Sequence, residues 1–164
     1  MLIRPVYFRV YKMIYTKIDE KDITEDKPLV MYIIIRESLG MSPGKLCAQV
    51  GHGIQIILDQ YDILDELSQR SPNSAAHLTE EECNIIARMD LWKDSKKSKS
   101  GIRKVSLAAD DKEWEKIKTE FGNNLALVID AGLTQIQSGS ETIIVLYPLL
   151  RGENKIVKRL QVLK

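Results

Sequence analysis

The sequence predicts an α/β fold in one domain: a four-stranded mixed sheet with helices on both faces. Three observations predict it. Residues 29–36 (LVMYIIIR) are a nearly continuous apolar run rich in β-branched side chains, which suits a strand covered on both faces. Segments with helical periodicity, opened by capping signals, separate that run from later apolar runs. The resulting order is strand, helix, helix, strand, helix, strand, strand, helix, with no internal repeat.

Each element has its own signal. Residues 1–28 read as an extension before the domain, which occupies 29–164. Within it, 6–18 (VYFRVYKMIYTKI) favours extended structure without a firm register, and suits an extra edge strand or a loose arm equally. After the first strand comes a loop, 37–45 (ESLGMSPGK). Ser42 is a good N-cap and Pro43 suits the first helical position. Leu46, Val50, Ile57 and Tyr61 recur at helical spacing and form the expected core stripe. Ser71-Pro72-Asn73-Ser74 breaks that helix, and Thr79 with Glu82 makes the capping-box pattern of a second, running to about Leu91. Residues 94–101 (DSKKSKSG) read as a polar, mobile loop, and 103–108 as the second strand. Asp110 with Glu113 opens another helix, whose buried face carries Trp114, Ile117 and Phe121 and which Gly122 stops. Residues 125–130 and 142–147 are the third and fourth strands, and 152–160 a last short helix.

A chain of 164 residues can bury a core without disulfides or metal. Cys47 and Cys83 have neither metal-ligand nor disulfide spacing, and read as small core residues in a reducing compartment. No run approaches the ~20 apolar residues of a membrane span, and Arg9, Lys12 and Lys17 spoil any signal peptide. A cytoplasmic protein with no membrane partner is expected. The net charge of +1 does not announce a polyanion partner, but its distribution is uneven. Lys93, Lys96, Lys97, Lys99, Arg103 and Lys104 make one basic cluster, and Arg151, Lys155, Lys158 and Arg159 a second. Such patches attract phosphates, although most lysine-rich stretches are simply solvated.

Two constellations could carry chemistry. Lys45, Gln49 and His52, spaced by four and three, share a narrow helical stripe. Lys45 stands in the first helical turn, where backbone N–H groups and the helix dipole already favour an anion. A cation is out of place there unless an anion comes to it, although a solvated first-turn lysine is the commoner case. The run 40–45 (GMSPGK) is one residue short of a P-loop, and Leu46 stands where a hydroxyl would hold magnesium, so nucleotide hydrolysis is rejected. The second constellation is 130–135 (DAGLTQ). Asp130 ends an apolar strand, where open α/β sheets place ligands, Gly132 allows a tight turn, and Thr134 adds a hydroxyl. Taken alone, Asp130 could equally cap a turn. His77 falls in a polar loop, and no Ser/His/Asp or Cys/His triad stands out.

Together these constellations resemble the archaeal/eukaryotic-type (type II) peptidyl-tRNA hydrolase family. Its first motif, R-x-D-L-x-M-x-x-G-K-x-x-A-Q-x-x-H, is matched by 36–52 (RESLGMSPGKLCAQVGH), and its second, D-A-G-x-T-Q-I-x-x-G-S-x-T, by 130–142 (DAGLTQIQSGSET). Residues 101–107 (GIRKVSL) resemble the G-x-x-K-V strand between them. The resemblance runs from about Val30 onward and implies a four-stranded mixed sheet, a homodimer, and hydrolysis of the ester joining a peptide to the 3′-terminal ribose of tRNA. It implies Lys45, Gln49, Asp130 and Thr134 as catalytic residues; His52 and Gln135 are further substrate-binding candidates, with His52 expected to sit deeper and to fix the helix face rather than transfer protons. No metal or other cofactor is implied. Peptidyl-tRNA would dock its phosphates on Lys96, Lys97, Lys99, Lys104 and Lys155. The sequence departs from the family pattern in several places. Ser38 stands at the family's Asp, Leu133 at its usual Arg, Tyr147 at its usual Gly, and a helical insertion falls near 59–100. The competing expectation is a relative that binds tRNA or protein without turnover.

Overall fold

The computed structural model describes residues 12–70, 78–132 and 137–164. Strand β1, Leu29–Arg36, is buried at every position but the last. Such a strand needs neighbours on both edges and layers on both faces. It pairs parallel with β2 (Lys104–Ala109) and antiparallel with β4 (Glu141–Leu146), and β4 pairs antiparallel with β3 (Leu125–Ile129). The sheet is mixed, as expected, but has six strands rather than four, in the order β3-β4-β1-β2-β6, with β5 (Leu149–Leu150) on the start of β1. β5 and β6 (Gln161–Val162) are two residues each, too short to leave an alternating pattern in the sequence. Tertiary pairing creates them.

Helix α1 is Pro43–Gln69, α2 Glu80–Lys93, α3 Ser95–Ser98 and α4 Asp111–Phe121. The expected caps form: Ser42 caps α1 with Pro43 behind it, and Thr79/Glu82 and Asp110/Glu113 close capping boxes on α2 and α4. The connections β1 to β2 and β2 to β3 join parallel strands in opposite directions across the sheet. Right-handed crossovers therefore put α1 and α2 on one face and α4 on the other.

Several expectations are corrected. Residues 94–101 are not irregular throughout, since they hold the short helix α3. Asp94 caps α3 by accepting from the N–H groups of Lys96 and Lys97, and Ser100 Oγ donates to Leu29 O at 2.7 Å. Residues 152–160 hold only a 3-10 turn, Val157–Arg159. Asn154 Oδ1 takes the N–H groups of Ile156 and Val157 in the manner of an N-cap, but the turn it opens stops at Leu160, beyond which Gln161–Val162 pairs with β2 as a strand. Cys47 and Cys83 are exposed. The fully buried stripe of α1 is Gln49, Gly53, Ile57 and Tyr61, which turns Cys47 outward and leaves Leu46 and Val50 partly covered. The breaker at 71–74, His77 and residues 6–11 lie outside the described residues.

Before β1, residues 12–28 form no strand. Glu81 Oε1 accepts from the backbone N–H groups of Ile14 and Tyr15 at 2.8 and 2.9 Å, and Asn84 Nδ2 donates to Tyr15 O. Tyr15 is wholly buried against Phe121 and Tyr147. Arg88, also wholly buried, donates to Thr16 O at 2.8 Å, to Pro148 O and to both carboxylate oxygens of Glu153. Among the described residues, no helix is long and apolar enough to cross a membrane.

Candidate active site

The site starts from a close approach. A methyl group added at Gly53 would lie 2.7 Å from Val145 Cγ2 and 3.2 Å from Ile143 Cγ2. Only a residue without Cβ lets α1 come this near the sheet. The approach lays the first turns of α1 across the carboxyl end of β3. Lys45 and Gln49 then stand one and two turns into the helix, over Asp130.

The β3–β4 connection supplies the other half. Asp130 N donates to Ser140 O and Gly139 N donates to Asp130 O, both at 2.8 Å, which pins the first residue beyond β3. Val128 pairs with Ile143 but Ile129 with Glu141, so Thr142 is the extra residue of a β-bulge. Bulges of this kind re-aim a side chain. Here Thr142 Oγ1 donates to Gln49 Oε1 at 2.6 Å, while Glu141 instead accepts from Trp114 Nε1 and Lys118 Nζ of α4. Gly132 has φ +75°, and a Cβ there would fall 2.5 Å from Ser138 Cβ. Glycine is thus required twice, by backbone angle and by space, where residue 132 meets Ser138.

Three donors converge on the Asp130 carboxylate. Lys45 Nζ and Gln49 Nε2 (3.4 Å) reach Oδ1, and Gly132 N reaches Oδ2 at 3.0 Å. The ion pair is largely removed from water, with side-chain exposures of 12% for Lys45 and 4% for Asp130. The Lys45 hydrogen bond holds the Asp130 carboxyl below the usual carboxylate range against the opposing effect of desolvation, with help from Gly132 N–H and the Lys45 charge. The cation in the first turn of α1 therefore meets an anion from within the protein.

The pair lies in a cleft of about 740 Å³. Gln55 and His52 stand at one side, and Ile56, Val128 and Ile129 give an apolar wall. Ile129 is 60% exposed, unusual for isoleucine at a strand end. A volume of this order suits a small molecule or the end of a larger one. The arrangement offers a fixed carboxylate, an ammonium beside it and an apolar shelf, a combination suited to binding and polarising an ester.

Of the residues expected from sequence, Lys45, Gln49 and Asp130 come together. Thr134 and Gln135 lie outside the described residues. His52 lines the cleft but is exposed, not set deep to fix the helix face, because the buried stripe passes through Gln49 and Gly53. Gln49 is buried, and both ends of its amide are taken by Asp130 and Thr142. None of Lys96, Lys97, Lys99, Lys104 and Lys155 lines the cleft. Lys97 pairs with Glu20 at 3.7 Å, and Lys104 sits 5.0 Å from the Trp92 ring centroid. Sequence reasoning gave no role to Thr142, although it closes the second motif. It also missed Asp111, which accepts from Arg36 Nε at 2.8 Å and Ser38 Oγ at 2.7 Å.

A family model described as peptidyl-tRNA hydrolase PTH2 matches residues 29–163. No curated protein matches the chain at a significant level. The chain belongs to the peptidyl-tRNA hydrolase PTH2 family.

Proposed function

From membership of that family, we propose that the protein hydrolyses the ester between a peptide, or an N-acylated amino acid, and the 3′-terminal ribose of tRNA. The observation that carries the reading is the buried Lys45–Asp130 pair at the head of the cleft, braced by Gln49. An ester is easier to cleave than an amide, so the site need only hold water, meet the developing oxyanion and admit the substrate in one pose.

The roles follow from the bonding. Asp130, held ionised, is a weak base. It acts chiefly by orienting the attacking water, directly or through Thr134. Lys45 meets the negative charge of the tetrahedral intermediate or the terminal phosphate, turning from Asp130 toward substrate as that charge forms. Gln49 is a positioning residue: with its carbonyl on Thr142, its amide N–H₂ has one direction left, toward Asp130. His52 and Gln135 belong to the substrate-facing rim. A homodimer and a cytoplasmic location are part of the same proposal, the first tested by sedimentation.

The test is release of labelled N-acetyl-aminoacyl groups from tRNA. Lys45→Ala and Asp130→Asn are each expected to lower kcat by about 10²–10³, the usual cost of removing a transition-state donor or its anchor. Turnover within threefold of the parent in either variant would sink the assigned roles. A folded parent that binds tRNA without turnover would leave a binding-only relative.

A further inference from the structure

The two basic clusters of the sequence, far apart along the chain, meet around one cavity outside the cleft. Ile33 and Ile35 pair with Val145 and Ile143, the residues under α1. Tyr32 and Ile34 therefore point to the opposite face, together with their β2 partners Val105 and Leu107. There the chain after β5 folds back over the sheet and encloses a pocket of about 480 Å³. Its floor is Tyr32, Val105, Leu107 and Leu160, and its rim carries Arg103, Arg151 and Lys158.

Among the described residues these three side chains make no ion pair and no hydrogen bond. Glu153, next but one to Arg151, is taken up by Arg88 and by Leu150 N. Three uncompensated cations around a concave, partly apolar surface concentrate positive potential where an anion can enter. The two rim segments are tied to the same strand. Arg151 N donates to Pro28 O, and Ser100 Oγ donates to Leu29 O. Both basic segments thus flank the amino end of β1, although Lys104 itself turns to the other face, over the Trp92 ring of α2. A free phosphate would use one or two of these cations. A polynucleotide strand uses the whole run and can lay a base on the Tyr32 floor.

We propose that the Arg103–Arg151–Lys158 pocket binds a nucleotide of an RNA strand, phosphate to the rim and base toward Tyr32, as a second contact for tRNA on the sheet face opposite α1. The assignment of the strand to tRNA rests on the hydrolase reading. The pocket lies on β1 and β2 at the level of Tyr32 to Ile34, and the cleft beyond the carboxyl end of β3, two strands away and on the other face. A rise of ~3.3 Å for each of about three residues, two strand spacings of ~4.8 Å and the sheet's own thickness together put the two sites more than about 15 Å apart. A substrate cut back to its CCA end cannot reach both.

The test is anisotropy of labelled, deacylated tRNA against salt, with Arg103→Gln/Arg151→Gln beside the parent and Lys112→Gln/Lys116→Gln as a charge-matched control. Loss of two phosphate contacts lowers the slope of log K on log salt by about 1.4–1.8, and affinity at least about tenfold, relative to that control. Slopes and affinities equal to the control's overturn the proposal. So does a loss confined to a polyglutamate probe, which would assign the pocket to an acidic protein. A parallel assay on an N-acetyl-aminoacyl-CCA trinucleotide keeps the two readings apart. A parent that cleaves it, with unchanged tRNA binding in the variant, keeps the hydrolase and rejects the pocket. A parent inert on full-length N-acetyl-aminoacyl-tRNA, with deacylated-tRNA binding lost in the variant, does the reverse.

Discussion

Asp130 joins the strongest charge effect in the cleft to a definite pH dependence. Its folded pKa is depressed, so the ionised form is the one the fold favours. That contribution is complete above the ordinary carboxylate value of about 3.9 and is lost as pH falls through the lowered one. Followed by carbon-detected NMR, the Asp130 carboxyl should titrate below the ordinary range in the parent. In Lys45→Met it should move upward, because the largest depressing cause is gone while burial remains. An unmoved titration would mean that Lys45 does not hold the carboxylate. At the same scale, the substitution of the family's Asp by Ser38 has a local answer: Asp111 accepts from both Ser38 and Arg36, so a carboxylate still meets that arginine from the start of α4.

At the scale of elements, glycines decide whether the site assembles. Gly53→Ala places a methyl group 2.7 Å from Val145 Cγ2. Overpacking of this kind costs about 1–3 kcal/mol. The strain is relieved by lifting α1, which carries Lys45 and Gln49 off Asp130, so turnover should fall together with the urea midpoint. A variant less stable but equally active would show that the helix seat does not set the site. Gly132→Ala, at φ +75° with Ser138 in the way, should instead depress turnover with a smaller change in midpoint, since it distorts a loop and not the core.

The elements also show what the sequence could reveal. β1 is read to the residue because its apolar run is long and bounded by Pro28 and the loop at Glu37. The three long helices are found through their capping residues, which act within a few positions of themselves. β5, β6 and the failed last helix were illegible, because distant strand partners settle them, not periodicity. Lys45, Gln49 and Asp130 could be singled out by spacing and strand position. That the lysine and the aspartate bond each other could not, nor that a bulge turns Thr142 to Gln49. Both depend on how near α1 lies to the sheet, which one small residue fixes.

On the scale of the whole molecule, Arg88 ties together segments that the sheet keeps apart. One buried guanidinium holds Thr16 before β1, Pro148 after β4 and Glu153 beyond β5. Arg88→Met leaves a carboxylate and two carbonyls short of their donors. Glu153 keeps 21% side-chain exposure, so the cost lies at the low end for a broken buried pair, about 3 kcal/mol. For a chain of this size that lowers Tm by roughly 10 °C, a shift that calorimetry would detect. A Tm within about 2 °C of the parent would mean that the clasp contributes little beyond a surface pair.

That clasp also orders events during synthesis. Thr16 and Arg88 leave the ribosome before Glu153, so until the last part of the chain emerges the arginine has its carbonyl partner but no counter-charge. Residues 12–28 can rest on α2 in that interval, yet they cannot lock there, because a guanidinium without its carboxylate must stay in water. Closure of the amino-terminal segment thus becomes one of the last steps of assembly, although that segment is among the first to be made. In the finished protein the same dependence makes it let go as one unit with the stretch around Glu153. The amides of Ile14, Tyr15 and Leu150 should therefore share a single opening free energy in hydrogen exchange.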